Sequence, residues 1–200
     1  MTANTGIDSD RLNLGSGNDI KPGWLNHDSA QLPGIDVVHD LRKTPWPFRD
    51  GQFSEVYMKD VLEHLPDTIE AMDELYRITK PGARVFILVP YWNSMVATGD
   101  PTHIRFFNET SFDFFDPRNA QCKERPYYAK ARFYINRIGV WIIPCFPMFR
   151  IPWEKLSRQR VIYNPIGRSC LLRIAGLFCN VVHGMSIHLT RVDNDDDLQV

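Results

Sequence analysis

A glycine-rich turn directly follows the first apolar segment of the chain. Residues 11–18 read RLNLGSGN, a short strand pattern that runs into Gly15 and Gly17. Glycine has no Cβ, so it turns tightly and lets backbone N–H groups approach a ligand closely. In open α/β sheets, ligands bind at such carboxyl ends of strands. A glycine pair alone is more often an ordinary turn, so the elements that follow must decide between the two interpretations.

Strand and helix patterns alternate after this turn. Apolar or alternating segments predict strands at 12–14, 24–27, 35–39, 53–58 and 83–90. Asp67, three residues before Glu70, resembles a capping box and predicts a helix that ends at Pro81. This order predicts an α/β fold, with a Rossmann-like, mostly parallel sheet and helices on both faces.

The connection between the first two predicted strands is short. A parallel crossover normally needs a dozen or more residues, usually including a helix. Residues 18–23 (NDIKPG) leave room for about one helical turn before the second strand. We therefore expect a shortened or missing first helix.

The pattern changes beyond residue 91. Residues 100–107 form a loop rich in polar and aromatic groups, and the segments after it predict a short helix, a strand, an irregular proline-containing stretch, an amphipathic helix and an antiparallel strand at an edge: 108–115, 129–142, 143–167, 168–182 and 185–192. We expect residues 133–182 to form an apolar and basic elaboration on the substrate side, or a lid.

Charge and composition indicate how the chain is organised. The 200 residues carry a net charge of −1, but 101–200 hold 14 basic and 9 acidic side chains, against 9 and 15 in 1–100. A basic half is compatible with an anionic substrate, a membrane surface or a nucleic acid, and equally with a solvated face. We predict a disordered leader at 1–10, a single domain at 11–192 and an acidic tail at 193–200.

The sequence also indicates a compartment. No secretory signal and no membrane-spanning apolar run are recognised, and the four cysteines show neither a C-x-x-C motif nor a metal-ligand spacing. These features predict reduced cysteines and a cytoplasmic protein.

Three segments resemble motifs of one enzyme family in the order that the family has them. Residues 12–17 (LNLGSG) resemble the first motif of class I S-adenosylmethionine-dependent methyltransferases, 53–65 (FSEVYMKDVLEHL) resemble the fourth-strand signature of their type 11 branch, and 77–90 (RITKPGARVFILVP) resemble the next helix end and strand. Residues 22–28 and 100–107 look like a compact subgroup of that branch. The resemblance covers about residues 11–116 and is silent on the substrate.

The resemblance implies roles for individual residues. S-adenosylmethionine is the implied cofactor, with its amino-acid end at the glycine turn, its ribose hydroxyls at Asp28, and its adenine at Asp40 and Leu41. A carboxylate suits the ribose because it accepts from both hydroxyls at once. The full set of implied cofactor-binding residues is Leu14, Gly15, Ser16, Gly17, Asn18, Asp28, Asp40, Leu41 and Lys59.

Candidate catalytic and substrate-binding residues lie beyond the fourth and fifth strands. A general base is needed only if the attacking group carries a proton of high pKa, and Asp60, His64 and His103 are the candidates. We expect Tyr91, His103 and Arg105 to contact substrate. The alternatives are a capping or packing role for His64 and a salt bridge from Arg105 to Glu109. No histidine pair shows metal-ligand spacing with a carboxylate, which predicts that no metal is bound.

Residues 141–182 combine apolar side chains, prolines and arginines. This composition is compatible with a lid, a small second core, a homodimer face or a surface that contacts a membrane peripherally. The substrate is accordingly expected to be a small molecule, anionic or amphipathic.

The leading hypothesis is a methyltransferase (EC 2.1.1.-) that acts on O or N of a small or a lipid- or sugar-linked metabolite in biosynthesis. The alternative is a non-catalytic module that binds S-adenosylmethionine or S-adenosylhomocysteine, which the shortened first helix and Lys59 favour. Nucleic-acid methylation rests on the basic half alone, without an Asn/Asp-Pro-Pro-Tyr signature after the fourth strand. We therefore expect no nucleic-acid partner.

Overall fold

The computed structural model describes residues 9–142 and 160–192. Most of the predicted leader, the acidic tail at 193–200, and residues 143–159 of the elaboration lie outside the described residues.

All eight strands that the structure describes belong to one sheet, in the order β3-β2-β1-β4-β5-β8-β6-β7. The strands are β1 (Arg11–Leu14), β2 (Leu25–Asp28), β3 (Val37–Val38), β4 (Phe53–Lys59), β5 (Thr79–Pro90), β6 (Phe133–Ile142), β7 (Arg160–Ile162) and β8 (Gly184–Arg191). Strands β1 to β5 pair in parallel, whereas β8, β6 and β7 pair antiparallel. The predicted Rossmann-like, mostly parallel sheet with an antiparallel edge strand is confirmed, and that edge strand is β7.

The helices are short apart from two. They are α1 (Thr68–Ile78), α2 (Met95–Gly99), α3 (Ala120–Glu124) and α4 (Pro165–Ala175), with 3-10 turns at Leu62–His64 and Asp113–Phe115. The Asp67 side chain accepts from the N–H groups of Ile69 and Glu70 at 2.8 and 3.0 Å, so the predicted helix cap is confirmed. The buried face of α1 packs into the same apolar cluster as Leu12 and Val56 of the sheet.

Two buried amides replace the missing first helix. Residues 15–24, all of which are described, contain no helix. The Asn26 side chain bonds the Asn13 amide at 3.0 Å, the N–H and carbonyl of Lys21, and the carbonyl of Trp24. Asn13 in turn donates to the Asp19 carbonyl at 2.7 Å. Side chains of β1 and β2 thus satisfy backbone groups that a helix would otherwise pair.

The loop between β1 and β2 also contacts β4. The Lys21 ammonium sits 4.0 Å from the ring centre of Tyr57 on β4. A cation over an aromatic face is attracted by the ring quadrupole. The amides of Asn13 and Asn26 and this cation–π contact therefore hold the short crossover in place. Together they explain how a parallel connection of this length can join two strands without a helix.

Three predicted elements differ from the structure. The strand at 185–192 was expected at an edge, but β8 lies between β5 and β6 because its residues on both faces are buried. The helix at 108–115 is reduced to a 3-10 turn, since the Asn108 carboxamide accepts from the Thr110 N–H and favours a turn. The helix at 168–182 begins earlier, at Pro165 behind the Asn164 cap, and ends at Ala175.

We predict that Asn26→Ala lowers the free energy of unfolding by about 3 kcal/mol, because several buried polar groups lose their partners. Urea denaturation at neutral pH measures the change. The matched control is Asn136→Ala on β6, whose amide makes an exposed bond to the Thr190 hydroxyl. That variant should stay within about 0.5 kcal/mol of the parent. Equal losses in both variants would contradict the structural role of Asn26.

Candidate functional site

The glycine turn is packed closely on the segment that follows β4. Gly15 has φ 67°, and a Cβ at this position would lie 2.3 Å from Cγ2 of Val61. Gly17 has φ 49°, and a Cβ there would meet no atom within 4 Å. Gly15 is thus required by packing, whereas Gly17 borders open space that a ligand can enter.

A buried histidine, His27, supports the glycine turn. His27 is fully buried; its Nε2 lies 3.0 Å from the His39 carbonyl and its Nδ1 3.4 Å from the Gly15 N–H. These partners assign a neutral ring that donates from Nε2 and accepts at Nδ1. Burial lowers the pKa of His27 from 6.5 to about 4. This histidine, which the sequence indicated only as structural, joins β2, β3 and the glycine turn.

Ser16 and Asp28 present polar groups beside the glycine turn. The Ser16 hydroxyl is buried and has no hydrogen-bond partner among the described residues. The Asp28 carboxylate at the end of β2 accepts from the N–H of Gly17 at 2.8 Å and of Ala30 at 3.0 Å. Each carboxylate oxygen keeps a further lone pair for a ligand. An unpartnered hydroxyl beside an oriented carboxylate fits a ligand that carries an amino-acid group and a diol.

The remaining implied cofactor residues are placed less directly. The Arg42 guanidinium donates to both carboxylate oxygens of Asp40, from Nε at 2.9 Å and from Nη2 at 3.0 Å. This pairing lowers the pKa of the Asp40 carboxyl. Leu41 is buried in the core and Leu14 is fully buried in β1. Asn18 and Lys59 are exposed. An adenine amine that bonds Asp40 must therefore share its carboxylate with Arg42.

Asp60 stands at the carboxyl end of β4 in a backbone conformation that few residues adopt. Its φ is 53°, and its N–H donates to the Leu88 carbonyl at 2.9 Å. Desolvation raises the pKa of its carboxyl, against the opposing charges of Lys59 and His103. A non-glycine residue with positive φ at a strand end is often held there for function.

His64 and His103 come together around a residue that sequence analysis missed. Their ring centres lie 4.7 Å apart, and His103 Nε2 is 3.9 Å from Glu63 Oε1. Glu63 is 1% exposed, and burial raises its pKa to about 8. Glu63 stands between Leu62 and His64 in the 3-10 turn, and a carboxylate directly beside a candidate histidine was the signal available.

Tyr91 and Arg105 are held by the loop between β5 and α3. Tyr91 is buried and its hydroxyl donates to Glu109 at 3.0 Å; burial raises its pKa to about 12. Arg105 is exposed and its guanidinium donates to the Pro66 carbonyl. Glu109 is thus bonded to Tyr91, and Arg105 keeps part of its donor fork free for an anion.

Comparison with known proteins shows what the first part of the chain and its fold are similar to. Residues 11–87 match the family model described as a methyltransferase domain. A SAM-dependent methyltransferase structure from Archaeoglobus fulgidus aligns with a TM-score of 0.56 at 15% identity, covering 90% of this chain and 85% of that one. Residues 11–87 thus match a methyltransferase domain, and the sheet has the fold of class I S-adenosylmethionine-dependent methyltransferases.

A curated relative and a second solved structure show how far the likeness extends. A demethylmenaquinone methyltransferase of Streptomyces avermitilis is 48% identical over 68 residues, which are 34% of this chain. The match spans 27% of the length of that relative. The structure of the cyclase SpnF aligns with a TM-score of 0.51 at 15% identity, over 92% of this chain and 74% of that one.

S-adenosylmethionine is the cofactor of this methyltransferase family, and the residues present fit it. The unpartnered Ser16 hydroxyl can bond the amino-acid end, and the carboxylate of Asp28 can accept from the ribose hydroxyls. Gly17 leaves room for the backbone of the turn to approach. No helix among the described residues is long and apolar enough to cross a bilayer, and Cys122, Cys170 and Cys179 are free thiols.

We predict that His27 makes the stability of this protein pH-dependent. The folded state keeps His27 neutral down to about pH 4, whereas the unfolded chain protonates it below about 6.5. Stability is therefore full above pH 6.5 and falls as the pH drops. Between pH 7 and 5 the loss from this group is about 2 kcal/mol.

Urea denaturation of the parent and of His27→Gln at both pH values measures this contribution. The variant should lose about 2 kcal/mol less over that interval, because glutamine does not titrate. Identical losses in the two proteins would show that His27 is not the responsible group.

Proposed function

We propose that this protein transfers a methyl group from S-adenosylmethionine to an oxygen or nitrogen of a small or a lipid- or sugar-linked metabolite. The observation that carries the proposal is the Asp28 carboxylate, fixed by the N–H of Gly17 beside the unpartnered hydroxyl of Ser16. A carboxylate held in this way is oriented before a ligand arrives, which reduces the entropy lost on binding.

The chain's own residues would orient the reactants. The bound cofactor supplies a methyl group activated by a sulfonium. The turn at Gly15 is fixed by Val61 and His27, so the cofactor end would lie close to the end of β4. Holding two reactants in line removes much of the entropic barrier of a displacement.

Asp60 is the general base that this geometry favours when the attacking group carries a proton. It ends β4, beside the segment on which Gly15 packs, and desolvation raises the pKa of its carboxyl. A carboxylate with a raised pKa is a better proton acceptor near neutrality. The nucleophile would give its proton to Asp60 as its lone pair bonds to the methyl carbon, and the methyl–sulfur bond would break with its electron pair on sulfur, which leaves S-adenosylhomocysteine.

An amphipathic substrate is supported by the cavity beside Arg105. The cavity has a volume of about 350 Å³ and combines this guanidinium with an apolar lining that includes Ile69, Phe107 and Phe115. An apolar pocket with one cationic group suits a molecule with an anionic head and a hydrophobic body. The relative named a demethylmenaquinone methyltransferase is compatible with a small organic substrate.

The alternative function is a module that binds S-adenosylmethionine or S-adenosylhomocysteine without methyl transfer. The loss of the first helix and the cation of Lys59 at the end of β4 favour it. The likeness to the cyclase SpnF adds that this fold alone does not determine methyl transfer.

Calorimetric titration with both ligands tests the two functions together. We predict that Asp28→Ala weakens binding of S-adenosylmethionine about 10- to 100-fold, because hydrogen bonds to a charged group contribute about 1.5–3 kcal/mol. The matched control is Asp50→Ala, an exposed carboxylate that precedes β4 at the opposite end of the parallel strands. That control should bind like the parent.

Turnover assays over a panel of hydroxylated and aminated metabolites complete the test. Methyl transfer that Asp60→Asn slows with unchanged cofactor affinity supports the role of Asp60. Binding without turnover by the parent across the panel favours the alternative. A parent that binds neither ligand rejects both functions.

We further propose that 141–182 contacts an anionic membrane surface. In its described part, Leu177 and Phe178 follow α4 and are 80% and 63% exposed, and Ile166 of α4 is 77% exposed. Exposed apolar side chains close to arginines are typical of peripheral membrane surfaces. Burial of the same side chains in a homodimer is the competing explanation.

Co-sedimentation with phosphatidylglycerol vesicles should retain the protein, and Phe178→Glu should abolish most of this retention. Tyr127→Glu, at a residue 78% exposed on another part of the surface, is the matched control and should be retained like the parent. Absence of retention, together with a dimer in sedimentation equilibrium, would replace the membrane contact with a dimer face.

A further inference from the structure

Glu63 is the least explained polar residue of the site. It is 1% exposed, and neither carboxylate oxygen has a hydrogen-bond partner among the residues that the structure describes. A buried carboxylate without partners is strongly disfavoured. Protonation would remove the charge, but the resulting hydroxyl and carbonyl oxygens would remain unpartnered. The position therefore calls for a ligand rather than for a proton alone.

The ring of His103 turns an unprotonated nitrogen toward Glu63. Its Nδ1 lies 3.1 Å from the Ala97 carbonyl, which can only accept. Nδ1 therefore carries the proton and Nε2 carries the lone pair of the neutral ring. Nε2 lies 3.9 Å from Glu63 Oε1 and from Asp100 Oδ2. When Glu63 is ionised, Nε2 and these two carboxylate oxygens are three electron-pair donors that face one another.

His64 also keeps a lone pair on one ring nitrogen. Its Nδ1 lies 3.0 Å from the Thr102 hydroxyl, and that hydroxyl donates its own proton to Asp100 at 2.6 Å. The hydroxyl oxygen therefore accepts from Nδ1, which leaves the lone pair on Nε2. A histidine that donates one ring nitrogen to an outer partner and keeps the other free is the usual arrangement of a metal ligand.

The three residues are close enough to share one ion. One nitrogen from each ring and one carboxylate oxygen of Glu63 lie within 4.8 Å of one another. The group is also anchored, since the N–H groups of Ile104 and Arg105 donate to the Glu63 carbonyl at 3.0 and 3.1 Å. Ligands bonded at roughly 2.0–2.2 Å to a common cation stand about 3–3.5 Å apart, so the rings and carboxylate need to close by at most about 1.3–1.8 Å.

We propose that Glu63, His64 and His103 bind a divalent first-row transition-metal cation at the end of β4. One carboxylate and two imidazoles form a ligand set of the kind that Zn²⁺, Fe²⁺ and Co²⁺ accept, with positions left open for another ligand. The cation would compensate the buried charge of Glu63 from a position between this carboxylate and the two rings. The prediction of no metal rested on sequence spacing, which does not show that the loop at 102–105 returns to the 3-10 turn.

The cation would also narrow the class of substrate, a consequence that rests on the proposed function. The site adjoins Asp60, whose carboxyl lies within electrostatic reach of His64 and His103. An open coordination position there favours a substrate that offers an oxygen donor next to the methyl donor. A hydroxylated acceptor is therefore expected over an amine.

Metal binding by the tag-free full chain tests the inference without any cofactor. After treatment with a chelator and its removal, the parent is titrated with Zn²⁺ by calorimetry and with Co²⁺ by visible absorption. We expect one equivalent of each ion and ligand-field bands from bound Co²⁺. Glu63→Gln keeps the shape of the side chain and should weaken binding at least about 100-fold, since even an outer partner costs about 10- to 100-fold.

Two further variants guard against misfolding and non-specific binding. His64→Asn alters a half-buried ligand and should also lose the Co²⁺ bands, while circular dichroism confirms that each variant is folded. His188→Asn, a half-buried histidine on β8, is the matched control and should bind like the parent. No stoichiometric binding by the parent, or equal binding by the Glu63 variant, overturns the inference.

Failure of this inference and failure of the proposed function are distinguishable. Titration of the chelated protein with S-adenosylmethionine reports the cofactor site, and titration with Co²⁺ reports the metal site. Cofactor binding with no metal binding rejects only the metal site. Metal binding with no cofactor binding rejects only the methyltransferase function.

Discussion

The buried pair of amides at Asn13 and Asn26 allows the rest of this sheet to form. A parallel connection usually has a helix that pairs its own backbone and covers the strands. In this chain, two carboxamides take over the first task and the Lys21–Tyr57 contact contributes to the second. Because these two side chains join β1, β2 and the loop between them, they also support the position of the glycine turn and of Asp28.

Local patterns in the sequence were sufficient for the first half of the fold. The strands around Gly15, the cap at Asp67 and the apolar strand before Pro90 are each encoded by neighbouring residues, and all appear in the structure. The position of β8 could not be read in this way, because alternation at 185–192 does not state which strands flank it. The turn at Asn108 shows the opposite error, in which one side-chain bond overrides a helical pattern.

The residues of the candidate site likewise fall into those that the sequence could predict and those that it could not. Gly17 and Asp28 follow strand ends and could be assigned by resemblance, and the structure places their backbone and carboxylate in contact. Glu63 could not be assigned, since its burial in the 3-10 turn is not visible in the sequence and its neighbour His103 is forty residues away. Proximity created by a returning loop has no signature in spacing.

The place of β8 has a consequence for the order in which the protein is made. Strand β5 ends at Pro90, whereas its antiparallel neighbour begins only at Gly184. A growing chain therefore presents an unpaired, strongly apolar strand edge while the whole intervening segment is still being synthesised. Such edges invite pairing with other chains. Co-translational folding of this protein is expected to depend on a chaperone that shields β5 until β8 arrives, and ribosome-bound chains that stop before Gly184 should crosslink to one.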